Sequence, residues 1–221
     1  MKPEKLIIRL ISLAVLASCE LTPFEEDEKS IVKPEQTTVQ ETSSLFVQDE
    51  DNKIFTFETN NTKYLGTNGY TLWTVPNANT SESFNPITVE AVKESGRAEA
   101  GLGLVFCEQK IEGKEFMLAA LINANGYYSV GKVCDGAFCH INDGWKSSSY
   151  INKGYGIKNT IAVAYDSETK NFLLKINGYE ITSFTVPEQI AFKDSRSGFA
   201  VVIANSEEFP ATPVKATFES K

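Results

Sequence analysis

Carboxylates are the first chemistry to look for. Two of them ~5–5.5 Å apart would suffice to cleave a glycosidic bond with retention. Alternate residues of a strand share a face, so such a pair can be spelled out along one strand. Glu90 is followed by Glu94 across Ala91-Val92-Lys93, and Glu108 ends an apolar run. Both Glu90 and Glu108 read as solvated strand residues. No Gly-x-Ser-x-Gly elbow occurs, and the single histidine, His140, stands two residues from Asn142 near a turn. Catalytic residues are therefore expected to be none. Aromatic side chains offer a different chemistry, because flat rings stack on the C–H faces of sugars. Trp145, Tyr150 and Tyr155 fall within Gly144 to Gly156, a stretch that also holds Lys146, Ser147, Ser148, Ser149, Asn152 and Lys153. Rings mixed with donors and acceptors suit a sugar surface. The competing reading is that Trp145 packs a long loop onto the core. Tyr127 and Tyr128 are adjacent, so in a strand one points in and the other out.

The balance of charge narrows the partners. Twenty-one basic and 29 acidic residues leave a net charge of -8 over 221 residues. A nucleic-acid binder needs a basic patch, so nucleic acid is excluded as a partner. With 42% hydrophobic and 11% aromatic residues the chain is of the globular kind.

Residues 1–18 read as an export signal: Lys2, Lys5 and Arg9 precede a short apolar run from Leu10 to Ala17. Eight residues cannot span ~30 Å of hydrocarbon as a helix. Leu16-Ala17-Ser18-Cys19 resembles a bacterial lipobox. The resemblance implies cleavage before Cys19 and acylation of that residue. Several acyl chains make a durable anchor, at ~0.8 kcal/mol per buried methylene. The expected address is a bacterial membrane, outer membrane or cell surface rather than inner membrane. Residues 19–44 then form an acidic, disordered tether. Residues 20–44 hold seven acidic and two basic side chains and few large apolar ones, too little to offset their ordering entropy.

An exported chain meets an oxidising compartment, which bears on Cys134-Asp135-Gly136-Ala137-Phe138-Cys139. Three readings stand: a Cys134–Cys139 disulfide closing a hairpin, two free thiols, or a zinc site made with Cys107 and His140. Cys107, in an apolar strand, reads as a buried thiol. No loop spacing supports a calcium site, although Asp49-Glu50-Asp51-Asn52 or Asp135 with Asp143 could supply oxygens. No metal and no cofactor are expected.

Residues 45–221 must position these groups, and their pattern is strand after strand. Alternating or apolar runs begin at Ile54, Tyr70, Ile87, Leu102, Phe116, Tyr127, Thr160, Phe172, Ile181, Phe199 and Val214. Phe116 to Ile122, apolar at nearly every position, reads as a strand buried on both faces. Asn177-Gly178 predicts a two-residue hairpin turn, since both residues tolerate positive φ. About a dozen short strands with Gly, Asn, Asp and Pro between them predict an all-β, two-sheet antiparallel sandwich.

From Pro86 onward the order of elements carries a resemblance. It runs through Ile-Thr-Val-Glu-Ala-Val (87–92), Gly-Leu-Gly-Leu-Val-Phe (101–106), Gly-Tyr-Tyr-Ser-Val-Gly-Lys (126–132) and Gly-Trp-Lys-Ser (144–147). Asn-Thr-Ile-Ala-Val (159–163), then Phe-Leu-Leu-Lys-Ile-Asn-Gly (172–178), complete it. The chain resembles the concanavalin A-like lectin/glucanase superfamily, in particular laminin-G-like jelly-roll domains of bacterial surface proteins. The resemblance implies a jelly-roll with ligands on the concave sheet or its rim loops. β-Glucan-cleaving relatives carry Glu-x-Asp-x-(x)-Glu on one strand, and that pattern is absent from every strand here. The resulting expectation is a lipid-anchored protein that binds a glycan without catalysis, through Trp145, Tyr150, Tyr155, Asn152 and Tyr127. A protein-binding or assembly module of the cell envelope and a sugar-active hydrolase are the alternatives.

Overall fold

The computed structural model describes residues 46–49, 53–65, 70–74, 78–134 and 137–221. The export signal, Cys19, the tether with Glu25-Glu26-Asp27-Glu28, and Glu50 to Asn52 lie outside the described residues. Fourteen strands and one short 3-10 turn make up the described elements. In chain order the strands are β1 (Phe46–Asp49), β2 (Ile54–Thr59), β3 (Tyr70–Thr74), β4 (Ile87–Ser95), β5 (Leu102–Ile111), β6 (Lys114–Ile122) and β7 (Tyr127–Cys134). Then come β8 (Ala137–His140), β9 (Lys146–Ser147), β10 (Lys158–Asp166), β11 (Asn171–Ile176), β12 (Tyr179–Phe184), β13 (Arg196–Val202) and β14 (Val214–Ser220). The expected all-β architecture is what forms: two antiparallel sheets packed as a jelly-roll sandwich. The first sheet is ordered β1-β2-β14-β4-β10-β11-β12, the second β3-β13-β5-β6-β7-β8 with β9 beside β7. Among the described residues no helix is long and apolar enough to cross a membrane.

The core sits between the inner faces. Phe57, Val89, Phe106, Leu118, Ile161, Phe172, Leu174 and Phe218 are all within 2% of complete burial. Rings carry much of it: Phe199 stacks on Phe218 at 4.7 Å between centroids, and Phe84 meets Phe172 edge-on at 5.5 Å. Strand β6 is buried on both faces, as its composition demands. Phe116, Leu118, Ala120 and Ile122 face the inner core. Met117, Ala119 and Leu121 join Val105, Val133 and Ala200 in a second cluster on the outer face of the second sheet, with Phe138 packed against it.

Local chemistry explains the boundaries. Asn177 and Gly178 have φ of 52° and 85°, so Ile176 pairs directly with Tyr179 through a mirror-image turn. Strand β5 does not stop at Cys107. It bulges there, with Cys107 at φ 56° and the register to β6 shifting between Phe106 and Gln109, and continues to Ile111. Strands β1, β8 and β9, of four, four and two residues, are additions to the pattern seen in sequence. They are edge pieces too short to show a period.

Candidate functional site

Strands β4, β6 and β13 end where β5, β7, β10 and β12 begin, so one end of the sandwich gathers the connecting loops. Residues 148–157 cross this end from β9 in the second sheet to β10 in the first. Backbone bonds tie the crossing down: Ser148 N–H to Gly126 O at 3.0 Å, Gly154 N–H to Ala124 O at 2.9 Å and Gly156 N–H to Lys93 O at 2.8 Å. Ile151, 3% exposed, plugs the inner core. An asparagine relay finishes the anchoring. Asn159 Oδ1 accepts from Asn152 N–H at 2.8 Å and from Asn177 Nδ2 at 2.8 Å, while Asn177 Nδ2 also reaches Tyr150 O at 2.7 Å. Asn152 donates through Nδ2 to Lys158 O at 3.1 Å. That bond uses one amide hydrogen within the loop, while the side chain stays exposed.

The rings of this stretch part company. Tyr127 is the outward member of its pair, 41% exposed, whereas Tyr128 packs on the core. Tyr127 pairs with Ser147 and shares the outer face of the second sheet with it. Trp145, two residues before Ser147, stands on the same side and is 36% exposed. Its ring reaches over the sheet to Gly101: a Cβ built there would lie 2.7 Å from the indole edge, with Leu121 close by. Trp145 therefore both packs, as the competing reading held, and leaves surface open. Tyr150 instead stacks on Tyr179 of β12, with centroids 4.2 Å apart and planes 18° apart. Tyr155 donates its hydroxyl to Gly96 O in the β4–β5 loop. Thus Trp145 and Tyr127 lie on one face, while Tyr150 and Tyr155 are bound elsewhere on the loop end. Tyr179, 56% exposed, escaped the sequence reading. Its signal was its place directly after Asn177-Gly178.

Beside Tyr127 on the outer face stands a polar group that the sequence showed only as separate letters. Ser129 Oγ lies 2.7 Å from His140 Nδ1, and Asn142 Oδ1 accepts from Val130 N–H at 3.1 Å. Asn142 thereby fills the ladder between the stretches of β7 that pair with β8 and β9. Burial lowers the His140 pKa, so the imidazole is neutral at neutral pH. Ser129 is wholly buried and presents no surface from which to attack a substrate.

The remaining titratable candidates sit apart. Glu90 is held below the usual carboxylate range by its hydrogen bonds to Lys158 and then Lys221, the opposite of what a general acid needs. Lys93, 4% exposed, donates to Ala100 O at 2.8 Å. Burial pushes its ammonium down to about 8, against the pull of Glu207 and Glu99. Cys107 is the expected buried free thiol, pushed by burial to about 12 and so inert.

Cys139 is a free, exposed thiol, not half of a disulfide. In the β7–β8 hairpin Cys134 pairs with Ala137, while Cys139 pairs with Lys132. Cys134 and Cys139 are thus diagonal positions, ~7–8 Å apart in a regular ladder and beyond the usual span of a bridge. The zinc alternative also fails to assemble. Cys139 and His140 are consecutive strand residues on opposite faces of the sheet, and among the described residues no three His, Cys, Asp or Glu groups are placed to hold a metal ion.

No protein-family model matches the sequence, and no curated protein matches it. Solved structures do match in shape. The carbohydrate-binding module CBM66 from Bacillus subtilis superposes with a TM-score of 0.52 at 11% identity, over 79% of this chain and 87% of that one. An alginate lyase variant gives 0.46 at 13% identity over 80% and 81%, and sheep galectin-11 gives 0.37 at 11% identity over 68% and 96%. At such identities the likeness to the CBM66 module establishes the fold alone.

Proposed function

We propose that this is a lipid-anchored, non-catalytic protein of the bacterial cell envelope. A glycan would lie on the outer face of its second sheet, against Trp145 and Tyr127. The observation that carries this reading is the exposed indole of Trp145. It is laid across Gly101 and fixed by packing, with Tyr127 open on the same face. A ring already immobilised costs little further entropy when a sugar stacks on it. His140 is close by to orient hydroxyls, and in neutral form it can donate or accept. The carbohydrate-binding module that shares the fold is consistent with this use of it. Anchoring through Cys19 rests on the lipobox alone.

A glycan array probed with the full chain and with Trp145→Ala tests the reading. Affinity should fall about tenfold or more for a ring at the centre of a site, with Tyr127→Ala weakening the same ligands. Unchanged binding by Trp145→Ala would remove the site. Mass spectrometry of the native protein should find Cys19 acylated.

A second reading rests on the Tyr150–Tyr179 stack. Two exposed tyrosines, parallel and locked by the asparagine relay, suit a protein partner. Loss of partner capture on Tyr179→Ser, with glycan binding intact, would favour it.

A further inference from the structure

The sequence spells Asn-Gly-Tyr three times, at Asn68, Asn125 and Asn177. Asparagine followed by glycine is a reactive pair. Glycine has no Cβ to shield its own nitrogen, so that nitrogen can close on the asparagine side-chain carbonyl carbon. Asn68 lies outside the described residues. The other two stand in the β6–β7 and β11–β12 turns, and the fold treats them differently.

Asn177 is locked. Its Oδ1 accepts from Thr160 N–H at 2.8 Å, and its Nδ2 donates to Tyr150 O at 2.7 Å and to Asn159 Oδ1 at 2.8 Å. Swinging its Cγ onto the nitrogen of Gly178 would open all three bonds. Asn125 is held by its backbone only. Its N–H donates to Asn123 Oδ1 at 3.1 Å, while among the described residues its exposed side chain takes part in no hydrogen bond. A single bond opposes attack there, from Gly126 N–H to Asn123 O at 3.1 Å. Lys153 favours attack. Its side chain lies over Gly126, where a Cβ would stand 2.5 Å from Cε. The ammonium follows directly on Cε, so a positive charge stands beside the nitrogen that must shed its proton.

We propose that Asn125 is a self-modification site, at which this turn deamidates while the same tripeptide at Asn177 is protected. The Gly126 nitrogen loses its proton and bonds to Asn125 Cγ. The Cγ–Nδ2 bond breaks, and Nδ2 leaves as ammonia. Water then opens the cyclic imide at either carbonyl. One opening yields aspartate. The other yields isoaspartate, in which the main chain runs through the former side-chain methylene. Both add a negative charge, and the second also lengthens the turn. That turn fastens the loop crossing through Ser148 N–H to Gly126 O and Gly154 N–H to Ala124 O, and it holds Tyr127 N–H on Asn123 Oδ1 at 3.1 Å. Isoaspartate at this position therefore loosens the crossing from the second sheet. The site stands whether or not this end of the molecule binds a glycan.

Ageing of the full chain at mildly alkaline pH, followed by acid digestion and mass-spectrometric mapping that separates isoaspartate from aspartate, tests it. Loss of the amide at Asn125 should outrun that at Asn177 about tenfold or more, because three hydrogen bonds must open first at Asn177. In concentrated urea the two Asn-Gly-Tyr sites should react at similar rates, since the fold and not the tripeptide makes the difference. Lys153→Gln should slow the reaction at Asn125 in the folded chain and not in urea. The isoaspartyl form, separated by ion exchange, should exchange its Ser148 amide faster than the fresh chain. Equal rates at Asn125 and Asn177 in the folded chain, a faster Asn177, or an Asn125 that reacts only in urea would overturn the proposal.

Discussion

The two faces of the second sheet solve different problems with the same strands. On the inner face Leu104, Phe106, Phe116, Leu118 and Phe199 fill space against the first sheet. On the outer face Gly103, Val105, Ala119, Gly131 and Ala200 stand between the larger Met117 and Leu121. Large side chains give the inner face its cohesion. Small ones leave the outer face low enough for Trp145 and Phe138 to lie across it, over Gly101 and Gly131. The lesson is that glycine and alanine on an outer face set where rings can rest, not merely where the core ends.

Truncation inside should cost most. Leu118→Ala is expected to destabilise the fold by ~2–5 kcal/mol in urea unfolding, by transfer loss plus cavity. An equal cost for Ala119→Gly, on the outer row, would erase the distinction between the faces.

The inner space ends at Lys93, beneath the β4–β5 loop, and there the cost is electrostatic. Its folded pKa of about 8 lies below the ordinary lysine value of 10.5. Below pH 8 both folded and unfolded states carry the proton, and the penalty for a buried ammonium is fully present. Between about 8 and 10.5 the unfolded chain binds more protons, so stability should rise with pH, by ~3 kcal/mol in order of magnitude. Lys93→Met should abolish that rise without a loss of stability at pH 7. A flat wild-type profile over this window would show that the ammonium is solvated.

Addition, not deletion, should damage the outer face. A Cβ at Gly131 would stand 2.3 Å from the Phe138 ring and 2.7 Å from Cys139 O. Gly131→Ala is therefore expected to cost ~1–3 kcal/mol, read by thermal melting, and to displace Phe138 from the hairpin.

The smallest effect should come from His140. Its lowered pKa means that stability is complete above about pH 6.5, the unfolded value, and is lost as pH falls toward the folded one. His140→Asn should flatten that acid limb while leaving the Lys93 rise intact. An acid limb that persists in the variant would assign it to carboxylates.

Much of the fold was legible before any coordinates. Phe116 to Ile122 announced a strand covered on both faces, and Asn177-Gly178 announced a tight hairpin. Period and turn chemistry are local properties. The candidate site was legible in part. Trp145 and Tyr127 were named from composition and alternation, and they share a face. Tyr150 and Tyr155 were grouped with them by nearness in sequence, yet a loop crossing between sheets sends successive side chains to different neighbours. The letter of Asn152 says that it can hydrogen-bond, and only the fold shows that Nδ2 reaches Lys158 O.

The residues themselves therefore determined an all-β chain with its turns, a core of phenylalanine and branched aliphatics and an acidic N-terminal stretch, because each follows from side-chain chemistry over a few neighbours. Only the tertiary structure decided that Gly101 would lie beneath Trp145, that Tyr150 would stack on Tyr179 and that Ser129 would meet His140. Those are contacts across strands far apart in the chain. They depend on register, and register is set by the packing of two whole sheets.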